Sequence, residues 1–93
     1  MKKYEVMYIL KATLEDAARN ELIGKLNAIL AANGGSIESV NEWGVKDLAY
    51  EIEKEKKGYY VVVEVVANVE AINEFDRVSK INSNVLRSLV IAK

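Results

Sequence analysis

Residues 59–67, YYVVVEVVA, form the stretch of sequence that decides the fold. β-branched and aromatic side chains favour strands, and Glu64 is the only charged residue in this run. A continuous apolar run of this length, with both faces apolar, is typical of a strand at the centre of a sheet. We therefore expect this segment to have a neighbouring strand on each side.

The preceding residues, WGVKDLAYEIEKEKKG at positions 43–58, predict the end of another strand and a turn. Loose alternation of apolar and polar residues predicts a long strand over residues 36–53, and Gly44 predicts a bend within it. A turn rich in lysine and glutamate is expected over residues 54–58. Together with the central run, these segments predict a β-hairpin.

The first third of the chain predicts a strand and then a helix. Residues 3–10, KYEVMYIL, alternate as a strand does. Thr13 predicts the N-cap of a helix over residues 14–33, with Asp16 as its capping-box-like partner, and Gly34-Gly35 predicts the end of that helix. The apolar stripe expected on this helix consists of Ala18, Leu22, Leu26, Ile29 and Leu30.

The last third predicts a second helix and a last strand. Asn68 predicts the N-cap of a helix over residues 69–81, and VLRSLVIA at residues 85–92 predicts a strand. The side chains expected to point inward from this helix are Val69, Ile72, Phe75 and Val78.

The order of elements is therefore βαββαβ. Short helices after the first and third strands favour an antiparallel sheet that is covered on one side. We expect an α+β fold of the ferredoxin-like type, with a four-stranded antiparallel sheet and two helices on one face. The first and third strands should lie at the centre of the sheet, in a single domain over residues 1–93.

The composition gives little support to catalysis. The chain has no cysteine and no histidine, which removes disulfides, thiolate ligands and the commonest general base. Glu51, Glu53 and Glu55 share one face of a strand and could hold a hard cation, but their interleaving with lysines favours a solvated edge. We expect no catalytic residue, no metal ligand, no cofactor and no small-molecule substrate.

Charge and hydropathy limit the partners. No stretch approaches the roughly 20 apolar residues of a membrane span, and charges resume at Lys11 too soon for a signal peptide. A net charge of −1 lacks the basic excess that is typical of a protein that binds nucleic acid without a partner. We therefore expect either no nucleic-acid binding or binding through a local patch with the help of a partner.

The face of the sheet away from the helices predicts an interaction surface. If Tyr4, Val6 and Tyr8 face the helices, strand alternation places the residues between them on the other side. The apolar patch expected there consists of Met7, Ile9, Tyr60, Val62 and Leu89, rimmed by Glu5, Glu64 and Arg87. A contiguous apolar patch marks an interaction site, although a register shifted by one residue would instead place this set in the core.

The third strand invites comparison with the RNA-recognition motif, which has the same order of elements. Lys57-Gly58-Tyr59-Tyr60 begins like the signature of that motif, but Val61 and Glu64 stand at its later aromatic positions. The sequence therefore predicts no base-stacking platform of that type. Between residues 46 and 57, four lysines are balanced by four acids, which predicts no strong basic field there.

Four segments together resemble one known family along essentially the whole chain. They are KYEV at residues 3–6, WGxxxLAYxIxK at 43–54, GYY at 58–60 and NVLR at 84–87. The chain resembles the bacterial small-subunit ribosomal protein six family. The resemblance implies a cytoplasmic, ribosomal, non-enzymatic structural protein that binds the central domain of small-subunit rRNA as a heterodimer with small-subunit ribosomal protein eighteen. The partner would supply much of the attraction for phosphates, and the apolar patch would be its docking site.

The resemblance also implies particular contacts. The residues that it marks for RNA binding are Lys2, Lys46, Lys54 and Arg87, and it marks Tyr60 as a docking aromatic. Asp47 stands where the family often has a basic residue, and Ala12 where proline is common. The sequence ends at Lys93 without the tail of many members, and we expect these departures to affect partner affinity rather than fold.

Two other readings stay open on the sequence alone. A ferredoxin-like regulatory or protein-interaction module would have the same pattern without RNA binding, and it would need polar ligand-binding groups at a dimer seam. A sequence designed onto this fold would also keep the pattern and lose the function.

Overall fold

A computed structural model describes residues 1–52 and 54–93 of the chain. Its elements are β1 (Lys2–Lys11), α1 (Asp16–Leu30), β2 (Ser36–Ile52), β3 (Glu55–Ala67), α2 (Val69–Ile81) and β4 (Val85–Ala92). The strands form one antiparallel sheet in the order β2-β3-β1-β4. The ferredoxin-like fold and the central positions of β1 and β3 are thus confirmed. Glu53, one of the three predicted carboxylates, lies outside the described residues.

The core lies between the sheet and the two helices. Tyr4, Val6 and Tyr8 of β1 are buried there, as strand alternation predicts. The Tyr8 hydroxyl donates a hydrogen bond to Asn27 Oδ1 at 3.0 Å, and its ring packs at a tilt on Phe75, with 5.9 Å between the ring centroids. Burial raises the pKa of Tyr8, so the hydroxyl keeps its proton and stays a donor. The remaining large core side chains are Leu10, Leu22, Leu26, Leu30, Val61, Val63 and Val65.

Helix α2 has the predicted bounds, whereas both ends of α1 differ from the prediction. The Asn68 side chain caps α2 by accepting from Ala71 N at 2.8 Å. Thr13 is not the N-cap of α1, because Glu15 occupies that position and makes no side-chain cap bond. The Asp16 carboxylate is instead held by the Arg19 guanidinium at 2.8 Å. It therefore does not take part in the expected capping box.

The other end of α1 comes earlier than predicted, and the inward faces of both helices differ in detail. Ala32 N bonds to Ile29 O at 3.3 Å, which tightens the last turn and ends α1 at Leu30. Ala18 and Val69, both expected to point inward, are exposed. The buried helix residues that the predicted stripes did not include are Ile23 in α1 and Ala71 and Ser79 in α2.

The β2–β3 hairpin is longer and its turn tighter than predicted. Gly44 has a φ of 84° beside a register shift between Glu42 and Gly44, which confirms the bend in β2. Residues 55–58, expected in the turn, belong to β3, and Gly58 pairs with both Lys46 and Lys11. Gly58 is therefore an interior strand residue, and its small size serves packing rather than a turn.

Candidate functional site

We define the open face as the side of the sheet opposite the helices. The register places Met7 between Val62 and Leu89, and Ile9 between Tyr60 and Arg87. Their neighbours along β1, Val6 and Tyr8, lie in the helix-side core. The predicted patch therefore does lie together on the open face, and the shifted register is excluded.

The exposed part of this patch is smaller than predicted. Leu89 is 45% exposed, and Met7 and Tyr60 are half-buried. Ile9 and Val62, which we expected to be exposed, are only 4% and 6% exposed. Val62 is flanked across the sheet by Met7 and by Asn41, whose longer side chains screen it. Ile91 of β4, at 48% exposure, extends the apolar surface at the sheet edge.

Ile9 is buried because it fills a notch at Gly58. A Cβ atom built on Gly58 would overlap Ile9 Cγ2 and would lie 3.4 Å from Leu48 Cδ2. Tyr50, further along β2, receives a hydrogen bond from Arg87 Nη1 to its hydroxyl at 2.6 Å. These contacts hold the end of the hairpin against the open face.

The open face also carries an aromatic pair that we did not predict. Trp43 stacks on Tyr60, with 6.3 Å between ring centroids and an interplanar angle of 8°. Trp43 is 54% exposed, and the Lys46 ammonium lies 5.5 Å from the centroid of its ring. The bulge at Gly44 offsets Trp43 from the regular alternation of β2, so simple spacing could not place it on Tyr60. In the sequence, the only feature that could have indicated this pair is a tryptophan directly before a glycine within a predicted strand.

The hairpin separates its charges between its two faces. Lys46 pairs with Gly58 and lies on the open face, whereas Glu42 and Asp47 pair with Val61 and Lys57 on the helix side. The predicted balance over residues 46–57 is a count along the chain, whereas strand alternation places Lys46 and Asp47 on opposite faces.

Glu42 is held on the helix side by its own contacts. Its Oε1 accepts from the Tyr59 hydroxyl at 2.8 Å, and this hydrogen bond is the main reason that the pKa of Tyr59 is raised. The Arg19 guanidinium lies 4.3 Å from the centroid of the Tyr59 ring. This carboxylate is thus directed away from Trp43 and Lys46.

Three of the four cations marked for RNA binding lie towards the hairpin end of the sheet, on different strands. Lys46 and Arg87 lie on the open face towards the hairpin, and Lys54 lies at the hairpin turn with a φ of 67°. Lys2 lies at the other end of β1, paired with Ala67. Any ligand that contacts all four must therefore extend along the sheet.

The end of the open face that lies far from the hairpin carries paired charges. Lys93 Nζ lies 3.0 Å from Glu64 Oε1 and 3.5 Å from Glu5 Oε2. The hydrogen bond from Lys93 lowers the pKa of Glu64. Local charge there is largely neutralised, so the unbalanced positive charge of the open face lies at the hairpin end.

The helix side of the protein carries a groove between α1 and α2. A groove of about 610 Å³ between the helices is lined mainly by Ala28, Ile29, Ala32 and Ala71, and Glu74 beside it is held by Arg77 at 2.6 Å. Across residues 1–52 and 54–93, no group of three acidic side chains could hold a metal ion. Neither α1 nor α2 is long and apolar enough to cross a membrane.

Comparisons with known proteins agree on one family. Residues 3–92 match the sequence profile described as Ribosomal protein S6. Proteins named small ribosomal subunit protein bS6 from Shouchella clausii and Halalkalibacterium halodurans are 53% and 50% identical over 90 residues, covering 97% of this chain and 95% of each relative. The crystal structure of 30S ribosomal protein S6 from Thermotoga maritima is similar with a TM-score of 0.91 at 22% identity, covering 99% of this chain and 87% of that chain.

Proposed function

This chain belongs to the ribosomal protein S6 family, and we propose that it binds the central domain of small-subunit rRNA together with small-subunit ribosomal protein eighteen. Its relatives over nearly the full length are proteins of the small ribosomal subunit. The chain is accordingly a non-enzymatic structural component of that subunit. The specific RNA domain and the protein partner are the proposed part.

The observation that carries the proposal is the uncovered apolar surface of the open face. Leu89 and Ile91 expose nearly half of their side chains there, beside the half-buried Met7 and Tyr60. Exposed apolar surface with a charged rim is typical of a protein interface. We place protein eighteen on this surface, with Ile9 and Val62 supporting it from beneath as buried side chains.

The charge distribution supports a shared RNA site rather than an independent one. A chain with a net charge of −1 gains little from general attraction to phosphates. Lys46, Lys54 and Arg87 provide a local positive end on or beside the open face, and Lys2 provides a separate contact at the opposite end of β1. A basic partner docked between them would complete a continuous surface for RNA.

A gel-shift experiment tests this proposal directly. A fragment of central-domain rRNA is titrated with this chain alone, with protein eighteen alone and with the two together. We expect a stable shifted complex that contains this chain only in the joint mixture. If the chain leaves the mobility and the affinity of the fragment unchanged in every mixture, the proposal fails.

Variants of the open face test the docking surface separately. We expect Met7→Glu and Tyr60→Ala to weaken the binding of protein eighteen in titration calorimetry while the chain stays folded by circular dichroism. Val69→Glu is the matched control, because Val69 is 59% exposed on α2 and lies on the helix side. Unchanged affinity of both open-face variants would exclude this surface as the interface.

A further inference from the structure

We propose that the Trp43–Tyr60 pair is a stacking platform for one unpaired RNA base, and that the Lys46 ammonium, which lies over the Trp43 ring, gives up this position to the base and meets a phosphate. The inference rests on the proposed RNA-binding function and adds a specific ligand and site to it. The third strand alone lacks the later aromatic residues of an RNA-recognition motif and so predicted no base-stacking platform. Here the second aromatic residue comes from the neighbouring strand.

The geometry of the pair suits a planar ligand. The two rings are nearly parallel at 8°, so Tyr60 supports the indole from one side and limits its rotation. Trp43 keeps 54% of its surface exposed. A tryptophan that is held rigidly and left exposed offers a large flat surface at low entropic cost, which is the property that single-stranded nucleic-acid sites use.

The electrostatics around the pair favour an anionic ligand that carries a flat ring. Lys46 lies 5.5 Å from the Trp43 ring centroid, and Arg87 lies in the same row of the open face as Tyr60, with Ile9 between them. The nearest carboxylates on the same strand, Glu42 and Asp47, lie on the opposite face. A base on Trp43 would therefore have the Lys46 ammonium near its phosphate and no acidic neighbour from the same strand on that face.

Charge and shape together favour a nucleotide over a protein side chain at this position. The apolar surface at Leu89 and Ile91 lies at the opposite edge of the sheet, on β4. We assign the apolar surface at Leu89 and Ile91 to the protein partner and the surface at Trp43 and Lys46 to RNA. The competing possibility is that the Trp43 indole contacts protein eighteen. The ¹⁹F experiment below distinguishes contact with RNA from contact with protein.

The chain has a single tryptophan, so 5-fluorotryptophan gives one ¹⁹F resonance that reports on Trp43 alone. We expect this resonance to shift when a short oligo(A) RNA is added, and to stay in place with an abasic ribose-phosphate oligomer of the same length. Because protein eighteen is expected to contact Tyr60 beside Trp43, it can shift this resonance by itself, and addition of the rRNA fragment to the complex with protein eighteen should shift it further.

Affinity measurements on the joint complex complete the test. Trp43→Ala and Trp43→Leu should each weaken binding of the rRNA fragment by about 5- to 150-fold, the range for loss of one stacked base. Trp43→Phe should retain most of the affinity because it keeps an aromatic face. Val45→Ala is the matched control, since Val45 is 52% exposed on the same strand but on the helix side, paired with Tyr59.

The outcomes separate this inference from the proposed function. If the joint complex forms while the ¹⁹F resonance stays fixed and Trp43→Leu binds as wild type does, the stacking site is excluded and the proposed function stands. If protein eighteen alone gives the whole shift and neither oligo(A) nor the rRNA fragment adds to it, Trp43 is a protein contact and the inference is overturned. If oligo(A) shifts the resonance but no joint complex forms, the stacking site stands and the proposed partnership fails.

Discussion

Replacing Gly58 with alanine tests whether the notch beneath Ile9 holds the hairpin on the open face. The added methyl group would overlap Ile9 Cγ2, and Ile9 is only 4% exposed. Because Cγ2 branches directly from Cβ, the side chain can avoid the methyl group only by leaving its preferred rotamer or by moving the strand. The substitution therefore overpacks a buried site.

The expected magnitude follows from two opposing effects. Overpacking a buried site costs about 1–3 kcal/mol, whereas removing a glycine from a strand gains about 0.5–1 kcal/mol. We expect Gly58→Ala to lower the free energy of unfolding by about 1–2 kcal/mol, which corresponds to a fall in Tm of roughly 4–16 °C for a domain of this size. Urea unfolding followed by far-UV circular dichroism measures this change, with an unchanged m value.

The same substitution at Gly24 is a matched control. Gly24 lies within α1, and a Cβ atom there would meet nothing within 4 Å. Gly24→Ala should therefore stabilise the protein by about 0.5–1 kcal/mol. Opposite signs for the two substitutions would assign the loss at Gly58 to packing rather than to alanine itself.

A double-mutant cycle with Ile9→Ala provides the decisive comparison. In the wild type, Ile9→Ala should cost about 2–5 kcal/mol. In the Gly58→Ala background, the same change also removes the overlap, so it should cost at least about 1 kcal/mol less. Additive effects, or a Gly58→Ala variant as stable as the wild type, would refute the proposed notch.

Two further predictions concern the cap of α2 and the ion pairs of Lys93. Asn68→Ala should lower the free energy of unfolding by about 1 kcal/mol in urea unfolding because the bond to Ala71 N is lost, whereas Asn73→Ala, on the exposed part of the same helix, should be neutral or slightly stabilising. Because Lys93 lowers the pKa of Glu64 in the folded protein, their interaction stabilises the fold above the ordinary carboxylate pKa and is lost as the pH falls through the folded value. Wild type should therefore lose more stability than Glu64→Gln on acidification at low salt, and a difference that persists in high salt would contradict the assignment to this pair.

The alternation of apolar residues was sufficient to predict the fold and the faces of the sheet. In β1 and β3 it separates Val6 and Val63 from Met7 and Val62, and the structure confirms that separation over the register shifted by one residue that the sequence left open. Helix α2 was predicted to the residue because one cap, Asn68, stands before it. The ends of α1 were not, because Glu15 stands at the N-cap without a side-chain cap bond in place of Thr13, and the helix ends at Leu30, before Gly34-Gly35.

The site could be predicted only where regular periodicity holds. Gly58 looks like a turn residue by type, and only its contact with Ile9 across the sheet shows that it serves packing. The register shift at Gly44 breaks the period of two, so the position of Trp43 over Tyr60 depends on a pairing that spacing does not encode. Strand alternation places Lys46 and Asp47 on opposite faces of the sheet. A count of charges along the chain does not show this.

These irregular positions have a common consequence for function. The bulge at Gly44 places Trp43 over Tyr60, while the notch at Gly58 lets Ile9 lie beneath the hairpin next to the same tyrosine. A regular hairpin with a larger side chain at residue 58 would lose the notch that seats Ile9, and the support beneath the aromatic pair would change. A partial loss of hairpin packing should therefore reduce RNA affinity before it unfolds the core, since Val6, Tyr8 and Phe75 lie on the other side of the sheet. The stability of the hairpin and the geometry of the proposed stacking site therefore depend on the same contacts.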